Sequence, residues 1–243
     1  MPELSAYGKL NLRNSHLVKI HISIFFSLPR VHRYAMCPHA LIPYKPVNPK
    51  TRLSCILDQA EREAFARAML QDVITTTIDA LCTPVIVSTE LYDSEDVQIT
   101  IKDADLSSSL NQILPDCTGP ILILMADLPL ADRASIQRVT STTSDMAIVP
   151  GRGGGTNVIY IKDTKRFHVD YYGMSFLKHM KIAQDAGLSC EVIDSFRLHT
   201  DIDEKEDLAE LLIHGTGKSR AYLEELGISL VVEKGRVGVE RKR

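Results

Sequence analysis
Lys45, Lys50 and Arg52 put three cations within eight residues, and prolines 43, 46 and 49 restrict the backbone that carries them. A basic cluster held in this way suits a polyphosphate; a solvated basic loop is the other reading. Asp127 stands one residue, Ala126, beyond residues 120–125 (PILILM), the most apolar run in the chain, and Pro129 prevents simple extension of that run. An acid presented at the end of a buried strand suits a Mg²⁺ ion, or else caps a turn. Asp201 and Asp203 lie two residues apart, so in an extended segment both carboxylates face one side and could share a cation. Alternatively, Asp203 caps a helix that begins at Glu204, with Glu206 as its third residue.

Two further segments could bind anions. Residues 150–157 (PGRGGGTN) combine four glycines with Arg152 and the Thr156 hydroxyl. Glycines permit positive φ and close backbone approach, and successive N–H groups can form an anion nest. Three consecutive glycines are costly to order, which favours a ligand over a merely flexible hairpin. Gly173 and Ser175 open a helical pattern, where free N–H groups and the dipole attract phosphate, although Ser175 could serve only as an N-cap. Gly217-Lys218-Ser219 resembles the end of a phosphate-binding Walker loop, but the glycine required at 212 is Leu and a helix precedes it, not a strand. That segment reads as an inter-helix turn. His168, His179, His199 and His214 show no ligand spacing and read as surface or packing residues.

The elements that must position these groups follow from periodicity. Strands are expected at 39–43, 84–88, 97–101, 120–125, 146–149, 157–161 and 190–193, with a final strand pair at 228–232 and 236–239. Helices are expected at 58–81, 107–114, 132–140, 175–186, 203–214 and 219–226, with Asp132 as a cap. The strand at 120–125 is expected to be a central parallel one. The order implies an α/β fold, Rossmann-like, with a mainly parallel, doubly wound sheet and helices on both faces. In such sheets ligands bind at the carboxyl edge.

Composition narrows the function. The 243 residues are 44% hydrophobic, enough for one sizeable core, and the net charge of −3 with no Trp gives no reason to expect nucleic acid. Five widely spaced cysteines without a C-x-x-C pair suggest reduced thiols in the cytoplasm. The first 35 residues carry five Lys or Arg against the single acid Glu3. Their apolar run is interrupted by Lys19 and His21 and is shorter than the roughly 20 residues a membrane span needs. We read residues 1–35 as a leader, disordered or extraneous, and residues 36–243, beginning at Met36, as the working domain.

Taken together, IPYKPVNPKTRLS, MLQDV (69–73), ADLPL (126–130), PGRGGGTN, YGMSFLKH (172–179), DIDEKEDLAELL (201–212) and GRVGVER (235–241) resemble the 2-phospho-L-lactate guanylyltransferase family of coenzyme F-420 biosynthesis. The likeness runs in order from 39 to 241. It implies the nucleotide-diphospho-sugar transferase fold, a homodimer, Mg²⁺ dependence, and the joining of GTP to (2S)-2-phospholactate with release of pyrophosphate. It also implies roles. Lys45, Lys50 and Arg52 would hold the triphosphate, with Lys50, Arg52 and Asp127 as the catalytic set. Asp127, Asp201 and Asp203 would hold metal, and Thr156, Gly173 and Ser175 would bind the acceptor phosphate beside Arg152. Some relatives use phosphoenolpyruvate or 3-phosphoglycerate. A related nucleotidyltransferase with another nucleotide or acceptor, or a non-catalytic nucleotide-binding subunit, are the alternatives.

Overall fold
A computed structural model describes residues 38–90 and 97–242. The leader expected at residues 1–35 lies outside the described residues. β1 (His39–Tyr44) runs through the cationic loop into α1 (Gln59–Asp79). The α1 entrance is a reciprocal cap: Asp58 accepts the Glu61 N–H and Glu61 accepts the Asp58 N–H, each at 2.9 Å. There follow β2 (Thr83–Ser88), β3 (Gln98–Ile101), α2 (Leu106–Ile113), β4 (Ile121–Leu124), α3 (Arg133–Thr140), β5 (Met146–Pro150) and β6 (Thr156–Ile161). The chain ends with α4 (Ser175–Asp185), β7 (Cys190–Val192), α5 (Phe196–His199), α6 (Asp207–His214), α7 (Lys218–Glu225), β8 (Ile228–Glu233) and β9 (Arg236–Arg241). Asp132 caps α3, as expected, by accepting the Ser135 N–H at 2.8 Å.

The main sheet has the order β3-β2-β1-β4-β6-β5-β7, and β8 and β9 form a separate antiparallel hairpin. Side chains alternate across the main sheet. Ala40, Ile42, Leu122, Leu124, Ala147, Val149, Val158 and Tyr160 pack on one face with residues of α1, α3, α6 and α7. Leu41, Ile121, Ile123, Met146, Ile148, Ile159 and Ile161 pack on the other, with residues of α2 and α4. Both faces are therefore covered, which explains why the central strands are apolar throughout.

Two expectations need correction. β4 is central, but it is parallel only to β1, because β6 runs antiparallel to both β4 and β5. The start of β6 therefore lies beside the ends of β4 and β5, and the glycine-rich segment is the hairpin that reverses the chain there. The helix expected from 203 begins at Asp207 instead. The Asp207 carboxylate accepts the N–H groups of Asp203 and Glu204, at 2.9 and 2.8 Å, and so ties the preceding turn outside the helix.

The Walker-like segment is an inter-helix turn, as read. The N–H groups of Lys218 and Ser219 donate to the Asp72 carboxylate of α1 at 2.7 and 2.9 Å, so a carboxylate already occupies that helix start. A Cβ at Gly217 would collide with Asp72.

Candidate active site
The cationic loop is rigid for reasons beyond its prolines. Arg62 of α1 is buried and donates to the carbonyls of Pro49 and Leu57, each at 3.2 Å, and to the Asn48 side chain at 2.8 Å. Asn48 and Lys50 both take left-handed backbone conformations, at φ 46° and 51°. For Lys this is a strained choice, and such strain collects at functional positions.

The loop turns Lys50 inward. Its Nζ lies 2.6 Å from Asp127 Oδ2 and 3.1 Å from Asp203 Oδ1, with only 11% of the side chain exposed. Burial acts to lower the Lys50 pKa, but the two carboxylates outweigh it and hold the pKa above the ordinary lysine value. Arg52 pairs with Asp203 and sits 3.7 Å from Glu204, and its side chain is 65% exposed. Lys45 is exposed just past β1. The three cations thus divide: one is locked between carboxylates, and two face outward.

Asp127 follows β4, and its carbonyl accepts the Ile202 N–H at 3.0 Å. That bond carries Asp201 and Asp203 to the same edge. Burial, reinforced by the Asp127 charge, raises the Asp201 pKa, against a bond from Asn157 Nδ2 at 3.4 Å. Asp127 Oδ1 is buried without a hydrogen-bond partner in the structure. Among the described residues no three His, Cys, Asp or Glu side chains form a ready-made metal cluster. The alternative role of Asp203 as a helix cap is excluded, since its carboxylate faces Lys50 and Arg52 and α6 starts four residues later.

The glycine hairpin borders this edge. Gly153 and Gly154 have φ of 74° and 85°, and a Cβ at Gly151 would strike the Asn157 side chain. Arg152 pairs with Asp207 and donates to the Asp201 carbonyl at 3.2 Å. Gly154 lies against Met174, which brings the hairpin to the start of α4. The Thr156 and Ser175 hydroxyls bond each other at 3.2 Å, and both residues are buried. Gly173 has φ 53° and open space around it. Ser175 is not the α4 cap: that position is Met174, in left-handed backbone with no side-chain bond.

Sequence reasoning did not single out Arg62, Asn157, His179 or Asp207 for these positions. Asn157 lies in the quoted motif, but its bonds to the Leu198 and His199 carbonyls, at 3.0 and 3.2 Å, depend on tertiary packing.

A cleft of about 530 Å³ is lined by Lys45, Lys50, Asp127 and Asp203 together with Val87, Ser88, Leu106 and Tyr172. A larger groove of about 950 Å³, between the β8–β9 hairpin and Lys205, contains none of the strand-end carboxylates.

A largely parallel sheet that gathers cations and carboxylates at one edge in this way has the architecture of the nucleotidyltransferases. A chain from Desulfovibrio desulfuricans G20, named for the nucleotide-diphospho-sugar transferases, shares the fold with a TM-score of 0.63 at 16% identity, covering 77% of this chain and 94% of that one. A nucleotidyl transferase from Methanothermobacter thermautotroptrophicus gives 0.53 at 14% identity, covering 78% and 99%. The chain belongs to the guanylyl transferase CofC-like family, whose family model matches residues 38–242. The 2-phospho-L-lactate guanylyltransferase of Methanoregula boonei is 70% identical over 206 residues, which cover 85% of this chain and 96% of that protein.

Proposed function
We propose that this chain joins GTP and (2S)-2-phospholactate to give lactyl-2-diphospho-5′-guanosine and pyrophosphate. The observation that carries the reading is the position of Lys50 between Asp127 and Asp203, three residues that together line the cleft. A phosphate oxygen of phospholactate attacks the α-phosphorus of GTP, the bond to the bridging oxygen breaks, and pyrophosphate departs with those electrons. Such transfer depends on positioning and charge neutralisation, with no side-chain nucleophile. Lys45, Lys50 and Arg52 hold the triphosphate and stabilise the departing charge. Thr156, Gly173 and Ser175 hold the acceptor phosphate, with Arg152 alongside.

The donor set also fits Mg²⁺. Asp127 offers an unpartnered buried oxygen, and a hard cation that keeps several waters needs only one or two carboxylates besides phosphate. Asp127, Asp201 and Asp203 would hold it, and when bound it neutralises phosphate charge. The reading extends to a cytoplasmic homodimer. Leu230, Val232 and Val237 share one side of the β8–β9 hairpin and are all exposed, an apolar surface suited to a second copy. Among the described residues no helix is long and apolar enough to cross a membrane.

Pyrophosphate release should require GTP, Mg²⁺ and phospholactate together. Assaying four nucleotides against phospholactate, phosphoenolpyruvate and 3-phosphoglycerate tests the substrate assignment. A preference for another pair, or no release at all, overturns it. Sedimentation of the purified chain tests the dimer.

A further inference from the structure
His179, on α4, is fully buried, with Tyr171 edge-on to it at a centroid distance of 4.9 Å and Phe167 tilted against it at 6.0 Å. Both ring nitrogens are engaged. The Asp170 N–H donates to Nε2 at 2.9 Å, so Nε2 has no hydrogen and the neutral ring carries its hydrogen on Nδ1. That Nδ1–H faces Thr156 Oγ1 at 2.9 Å and donates to it. Thr156 Oγ1 also accepts the Ser175 hydroxyl at 3.2 Å.

A hydroxyl has two acceptor positions and one hydrogen. His179 and Ser175 fill both acceptor positions on Thr156. The Thr156 hydrogen must then point away from both, and it is the one part of the group left to meet a ligand oxygen. Without the His179 donor the hydroxyl could turn and spend its hydrogen on a neighbour.

We propose that His179 is a positioning residue which, through a tautomer fixed by the Asp170 backbone, makes the Thr156 hydroxyl a dedicated donor to the acceptor phosphate. The proposal rests on the assignment of Thr156 to the phospho-acid. A preset donor to a phosphate oxygen strengthens binding without rotational cost at the moment of binding. Its loss should appear in the KM for phospholactate and leave the KM for GTP alone.

The test compares steady-state constants of the full chain. Thr156→Val and His179→Leu should each raise the phospholactate KM about tenfold, the size expected for a charged hydrogen bond. The double variant should be no worse than Thr156→Val, because both remove the same bond. His179→Asn, whose amide N–H can stand at the Nδ1 position, should recover most of the loss. His179→Gln, whose amide reaches toward Asp170, should not. The Asn–Gln comparison decides the matter even if the Leu variant fails to fold. If Thr156→Val raises the phospholactate KM while His179→Leu does not, or if Asn and Gln behave alike, His179 has no positioning role and the Thr156 assignment stands. If Thr156→Val leaves the phospholactate KM unchanged, that assignment itself fails.

Discussion

Asp207 holds two loops with one carboxylate: Oδ1 pairs with Arg152 of the glycine hairpin, and Oδ2 accepts the N–H of Asp203 at 2.9 Å. The hairpin and the Asp201–Asp203 turn are therefore tied to each other through one side chain. Asp207→Ala removes two backbone caps and a largely buried ion partner, and should cost about 2 kcal/mol of stability. The kcat/KM of the folded variant should fall further than that loss explains. Thermal melts alongside kinetics at a temperature where the variant is folded will separate the two effects. Normal kcat/KM in the folded protein would make Asp207 only a structural cap.

Arg52 is the exposed arm of the cation group. Arg52→Ala should change stability by no more than about 0.5 kcal/mol, as for other exposed positions. The kcat/KM for GTP should nevertheless drop at least about tenfold, since a charge on departing pyrophosphate loses its partner. Near-normal GTP kinetics would remove Arg52 from the site.

Asp127→Asn and Asp203→Asn should fold normally yet lose most turnover, and chelation of Mg²⁺ should silence the unaltered protein. Excess Mg²⁺ should partly restore a single variant, because one lost ligand weakens the ion's hold without abolishing it. Wild-type rates in both variants at limiting Mg²⁺ would rule out a metal role.

His179 gives a pH signature in stability. Burial lowers its pKa to about 4, outweighing the Asp170 charge that would raise it, while His168 and Lys178 add to the lowering. In the unfolded chain it titrates near 6.5, so between those values the unfolded chain binds the extra proton and the folded one does not. Stability should be at full strength above pH 6.5 and lost as pH falls toward 4, by up to about 3 kcal/mol. Denaturant titrations across that window should show a flatter profile in His179→Asn. Parallel profiles would show that other groups carry the dependence.

The strand ends that build the site were legible because a charged residue stood directly after an apolar run: Asp127 after PILILMA, Lys45 after ALIPY. Such a junction marks where the chain leaves a covered sheet. The direction of β6 was not legible, since TNVIYI is buried at every position and a fully buried strand carries no mark of its polarity. Asp207 reads in sequence as one acid among several in a helix start, and its true role depends on Arg152, 55 residues earlier. His179 reads as a packing residue, which it is. Its second role came from a backbone N–H at Asp170 that no side-chain pattern announces.

The bond between Asp72 and the first turn of α7 sets an order on how the chain can fold. β1, α1 and β2 are close in sequence and can assemble early, whereas Asp72 waits 146 residues for Lys218. On a ribosome, α1 therefore stays uncovered on its α7 side until nearly the whole protein has emerged. A chain stopped just before Lys218 would leave the Asp72 charge unanswered and the apolar contacts of α1 with Leu223 unmade. Quality control would meet that species as a nearly finished protein with an open seam.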